Sequence, residues 1–123
     1  MRSPKPTLTE QELEIMKVVW QLETATVRQV YETMLEHRRI AYTTVMTMMK
    51  ILEQKKYLKK TQNERAHVYR PAQPQRQVIG AMVREFVNRV FNGSAEPLLA
   101  HLVEDHNLSR EDLDEIARLR RQS

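Results

Sequence analysis

The stretch from Ala41 to Lys60, AYTTVMTMMKILEQKKYLKK, constrains the fold most, because it turns from helical to strand-like within twenty residues. Val45, Met48, Met49 and Leu52 fall at i, i+3, i+4 and i+7, the apolar stripe of an amphipathic helix. The opposite face carries Thr43, Met46, Thr47, Lys50 and Gln54. The spacing predicts a helix over 42–56 with its N-cap at Tyr42 or Thr43. Residues 57–62 and 66–70 then read as strands, with Asn63-Glu64-Arg65 as the turn and Pro71 as the stop. The hairpin is basic, with Lys59, Lys60 and Arg65 at or near its tip.

Two helix starts precede this stretch. Thr9-x-x-Glu12 and Thr26-x-x-Gln29 are capping boxes, in which side chain and backbone satisfy each other's free donors. The first opens a helix with Leu13, Met16, Val19 and Trp20 inward, ending near Leu22; Trp20 on that stripe reads as core. Thr24-Ala25 connects and adds a short edge strand. The second box opens a helix with a broad stripe of Val27, Val30, Tyr31, Met34 and Leu35. It ends at His37-Arg38-Arg39, where cations suit the carbonyl end. Met1 to Thr7, with two prolines and no periodicity, reads as an arm.

After the hairpin the pattern is helical again. Gln73-Pro74 opens a segment with Ile79, Met82, Val83, Phe86 and Val90 on one face, and Gly93 fits the left-handed position that closes it. Glu96-Pro97 starts another helix, carrying Leu98, Leu99, Leu102 and Val103. Ser109-x-x-Asp112 caps a last one with Leu113, Ile116 and Leu119. Three helices in about 50 residues bury too little surface to stand alone. Their apolar faces, Ile79, Met82, Val83, Phe86, Val90, Leu98, Leu99, Leu102, Leu113 and Ile116, therefore predict a homodimer interface. The expected architecture is mainly α: a winged helix-turn-helix DNA-binding domain with a two-stranded wing over 1–72, and a C-terminal three-helix dimerisation segment over 73–123.

Charge supports a polyanion partner. The 123 residues carry a net +4, but residues 38–70 hold nine basic and two acidic side chains, a net +7. The chain has no cysteine, which excludes disulfides and thiolate metal sites. It also lacks a phosphate-binding loop and a His-Glu-x-x-His pattern, so neither an enzyme nor a cofactor is expected. His101, Glu104 and Asp105 have helical metal-ligand spacing, but a helix end beside an interface is the preferred account. Apolar runs are too short to span a membrane and no signal peptide is visible, so a cytoplasmic protein is the expectation.

In a helix-turn-helix the second helix of the pair enters the major groove. Tyr42, Thr43, Thr44, Met46, Thr47 and Lys50 are accordingly the candidates for base contacts. Arg28, Lys55, Lys59, Lys60, Arg65 and His67 are the candidates for phosphate contacts. No arginine or asparagine lies on the reading face, so discrimination rests on hydroxyls, methyl contacts, phosphate anchoring and dimer geometry. The alternative is a winged helix adaptor between proteins, without sequence-specific DNA binding.

Three segments carry a family resemblance: Ala41-Tyr42-Thr43-Thr44-Val45-Met46-Thr47, Arg65-Ala66-His67-Val68-Tyr69-Arg70-Pro71, and Leu102-Val103-Glu104 with Leu108-Ser109. From Leu8 to Leu119 the chain resembles the penicillinase repressor (BlaI/MecI) family. The resemblance implies a homodimeric bacterial repressor that binds operator DNA and controls β-lactam resistance or related genes. It also implies release by cleavage in the C-terminal domain, triggered by a membrane sensor-protease. The bond that aligns with that cut is His101-Leu102, where some members carry Asn-Phe. The copper-responsive branch uses cysteine pairs, which are absent here.

Overall fold

The computed structural model describes residues 8–62 and 67–122. The order of elements is α1 (Glu10–Leu22), α2 (Val27–Leu35), α3 (Tyr42–Gln54), β1 (Leu58–Gln62), β2 (His67–Pro71), α4 (Gln75–Phe91), α5 (Glu96–His106) and α6 (Arg110–Gln122). The chain divides into two compact units, Met1–Ile79 and Gly80–Ser123. The division falls inside α4, later than the expected boundary at 72/73. The arm at 1–7 and the turn residues 63–66, Arg65 among them, lie outside the described residues.

In the first unit both expected capping boxes form. Thr9 and Glu12 exchange bonds at 2.8 and 3.1 Å, and Thr26 and Gln29 do the same. The core is built from Ile15, Met16 and Val19 of α1, Val30 and Met34 of α2, Val45, Met49 and Leu52 of α3, and Leu58 and Tyr69 of the hairpin. The wing is a two-stranded antiparallel ladder that pairs Leu58 with Pro71 and Lys60 with Tyr69. The expected edge strand reduces to a single bridge: Ala25 and Tyr69 exchange both backbone bonds, at 2.9 and 2.8 Å.

Four expectations are corrected. Leu35 is exposed, because at 100° per residue it lies roughly 140° round the helix from Val30. Trp20 is half-buried rather than core, and its Nε1 donates to the Gln73 carbonyl at 3.0 Å. The cap of α3 is Ala41, which offers no side-chain acceptor. That helix also stops at Gln54. Lys56 then takes a left-handed conformation (φ 73°), and the Tyr57 amide reaches back to the Leu52 carbonyl at 2.9 Å.

A buried ion pair joins the first and third helices. Glu12 is 4% exposed, and both of its carboxylate oxygens accept from Lys55 Nζ, at 2.9 and 3.1 Å. Burial alone pushes the Glu12 carboxyl up. The hydrogen bond and charge of Lys55, with the bonds from Thr9, outweigh it, and the group sits below its ordinary value. A second pair, Arg38 with Glu14 at 3.0 Å, ties the chain after α2 to α1.

In the second unit three helix ends carry capping features, while α5 starts from Ala95 without a side-chain cap. Gly93 takes φ 87° as expected, and its amide donates to the Val87 carbonyl at 3.1 Å. Asn107 closes α5 in the left-handed region, and Ser109 and Asp112 cap α6 reciprocally. Phe91 at the end of α4 meets Phe86 edge-on at 5.8 Å, and its ring centroid lies 6.1 Å from that of His101 on α5. Yet no described residue of this unit is buried.

Breaking the buried pair tests its role. Lys55→Met should cost about 2 kcal/mol in urea unfolding at neutral pH, less than for a fully buried pair because Lys55 keeps a quarter of its side chain in solvent. With its folded pKa lowered, Glu12 contributes stability that is fully present above the ordinary carboxylate value. That contribution is lost as pH falls through the folded value. The wild-type chain should therefore lose stability across the acidic range more steeply than Lys55→Met.

Candidate nucleic-acid interface

The buried stripe of α3 leaves its other face outward. Tyr42, Thr43, Thr44, Thr47 and Lys50 are exposed, and Met46 is half-buried between the two faces. The first turn of α3 has no side-chain cap, so its amide donors are not satisfied by one. Threonines at the positive end of such a helix suit an anion or a base edge. Tyr42 also makes a packing contact, since its ring meets Tyr31 of α2 edge-on with centroids 5.4 Å apart. This contact fixes the start of α3 against α2 while the ring stays 40% exposed.

Strand alternation divides the wing. Leu58, Lys60, Tyr69 and His67 share one face, and Lys59 and Arg70, paired in register, share the other. The first face borders a groove of about 660 Å³ lined by Thr26, Val27 and Arg28 of α2, Tyr42, Met46 and Lys50 of α3, and Lys60, His67 and Tyr69 of the hairpin. Its floor is apolar. Three cations and a histidine reach it from three different elements. Burial, and secondarily the nearby charge of Glu53, push the Tyr69 phenol up.

The candidate phosphate residues fare differently. Lys59, Lys60 and His67 are exposed on the hairpin, and Lys60 lies 3.9 Å from Glu53. Arg28 is exposed and 3.8 Å from Glu32. Lys55 is placed elsewhere, its ammonium held by Glu12 on the α1 side, because the helix turns it inward one residue after α3 ends. Arg70, opposite Lys59, and Arg39, exposed in the connection before α3, add cations that the sequence reading leaves out. Strand alternation is the signal for Arg70; Arg39 has none beyond its charge.

In the second unit, Val83, Phe86, Val90, Leu99, Leu102, Leu113 and Ile116 of the candidate interface are all exposed, and Met82 and Leu98 are half-buried. Ile79, also half-buried, falls in the first unit. His101 and Leu102 lie within helix α5. No group of three or more His, Asp or Glu among the described residues is arranged to hold a metal. No helix among them is long and apolar enough to cross a membrane.

Three helices, a two-stranded wing and an outward third helix define a winged helix protein of the DNA-binding type. The penicillinase repressor family model matches residues 8–122, and the chain belongs to that family, one of transcriptional repressors rather than enzymes. It is 35% identical over 116 residues to the transcriptional regulator BlaI of Mycobacterium tuberculosis, covering 93% of this chain and 80% of that protein. It is 27% identical over 111 residues to the penicillinase repressor of Bacillus licheniformis, covering 90% and 87%. Among solved structures it is similar to monomeric B. licheniformis BlaI in complex with the blaP half-operator, at 26% identity and a TM-score of 0.51 over 58% of this chain and 88% of that one.

The tyrosine pair can be tested apart from DNA. Tyr31→Ala should lower the unfolding free energy by about 1 kcal/mol or more through the lost edge-to-face contact. Tyr42→Phe, which keeps that contact, should leave it unchanged in the same denaturation measurement.

Proposed function

We propose that this chain is a homodimeric repressor that binds a palindromic operator through α3 and the wing. The observation that carries the reading is the convergence of Arg28, Lys50, Lys60 and His67 on one groove beside exposed threonines of α3. Tyr42, Thr43, Thr44, Met46, Thr47 and Lys50 read base edges, with Met46 and the threonine methyls suited to the thymine methyl. Arg28, Lys59, Lys60 and His67 hold phosphates, and Arg65 belongs to the same set by its charge and place in the sequence. Lys55 drops out of it. An adaptor without DNA binding has no use for such a groove.

Residues 73–123 supply dimerisation. The second unit presents apolar side chains from all three helices and buries none of them, which is the state of half an interface. Two copies of α3 related by a two-fold axis then require a two-fold symmetric site. The controlled genes are those of β-lactam resistance or a related response, in the cytoplasm. Release follows cleavage in the C-terminal domain by a membrane sensor-protease, or another signal. Since His101-Leu102 lies within α5, cleavage there requires that helix to open locally.

Two sets of variants test this. On a duplex from the chain's own upstream region, Thr47→Ala should cost about 1 kcal/mol of binding and relax base preference. Lys60→Ala should weaken operator and scrambled duplex alike and flatten the salt dependence by up to about one unit of slope. Unchanged affinity in both variants contradicts the assigned face. Phe86→Glu or Leu102→Glu should give monomers in sedimentation velocity. Operator affinity should then fall by about 100-fold or more while non-specific binding persists. A monomeric unmodified chain contradicts the dimer.

A further inference from the structure

Glu53 is the one acid between Tyr42 and Gln62, a stretch that holds five lysines. It stands in the last turn of α3, and its Oε1 lies 3.9 Å from Lys60 Nζ on β1. Both side chains are about one-third exposed, 35% for Glu53 and 31% for Lys60, so solvent weakens their attraction without abolishing it. The same Lys60 lines the groove with Arg28, Lys50 and His67. A carboxylate at that place opposes the approach of a phosphate and competes with it for Lys60. The hydrophobic contact of α3 with the hairpin already has Leu52, Leu58 and Tyr69 buried, so the wing does not depend on the pair for its seat.

We propose that Glu53 is an affinity-setting residue, which holds Lys60 in the free protein and must give it up to a DNA phosphate on binding. The proposal rests on the DNA-binding reading above and concerns how tightly, and at what ionic strength, that face engages a duplex. Because Lys60 addresses phosphate and not bases, the restraint acts on operator and non-specific DNA equally. It limits the attraction that otherwise makes a basic protein bind any duplex.

The test uses the full chain and fluorescence anisotropy with two duplexes, one from the chain's own upstream region and one scrambled, across a salt series. Glu53→Gln should bind both about two- to fivefold more tightly, the range expected for releasing a partly exposed pair. Its salt dependence should steepen by up to about one unit. In a Lys60→Gln background the gain should disappear. Glu53→Ala reads the same effect if the glutamine variant is unstable. A pair that merely seats the wing gives the opposite sign, weaker binding in Glu53→Gln, and that result or no change overturns the proposal. So does a full gain that survives in the Lys60→Gln background. Failure of the unmodified chain to bind either duplex overturns the DNA-binding reading itself; binding without the gain overturns this proposal alone.

Discussion

The position of the third helix depends on Glu12 and Lys55. Glu12 carries three duties at once: it completes the cap of α1, it lies among the core side chains of that helix, and it holds the ammonium that follows α3. A buried carboxylate without those bonds would be a net cost to the fold. With them, the end of α3 is fastened to the beginning of α1. The Tyr31–Tyr42 contact fastens its other end to α2. Between these two points Val45, Met49 and Leu52 fill the core, and the remaining face has nowhere to go but outward.

The distribution of acids explains which cations are available. Glu12 takes Lys55, Glu14 takes Arg38, and Glu53 lies beside Lys60. Lys50 and Lys59, both exposed, have no acidic partner among the described residues. The pairs nearest the core are structural. Two at the groove, Glu53 with Lys60 and Glu32 with Arg28, are weak and exposed enough to exchange partners. The density of positive charge in residues 38–70 thus overstates what is free of an acidic partner. Strand alternation and helix phase turn only a subset, Arg28, Lys50, Lys60 and His67, toward the groove.

Much of this is legible in the sequence because it rests on local chemistry. The capping boxes at Thr9 and Thr26, the cap at Ser109 and the left-handed Gly93 are set by residues within a few positions of one another. The order of helices and strands follows from hydrophobic period. The misses involve distance in the chain or phase. Glu12 shares the inward face of α1 with Ile15, Met16 and Val19, yet a charge there is readable as core only once Lys55, far along the chain, is seen beside it. Leu35 continues a stripe that has already rotated away. The cap of α3 is not a side chain at all, since the helix starts from Ala41 with none. The outward face of α3 is visible as a helix face. The groove beside it is not, because it needs the hairpin folded back onto α2 and α3.

The second unit is informative through what it leaves uncovered. Its helices are amphipathic, but Val83, Phe86, Val90, Leu99, Leu102, Leu113 and Ile116 stay exposed in the single chain. The first unit has its own core and turns one face of α3 outward. The second buries none of its described residues, which is what supports the proposal that it serves assembly. The claim that α3 and the wing are the DNA-binding surface can be tested residue by residue. Backbone amide shifts of the full chain, followed by NMR during titration with a duplex from its own upstream region, should change most at Tyr42–Lys50 and at Lys59, Lys60 and His67. Changes concentrated in α5 and α6, with the first turn of α3 silent, would contradict the account.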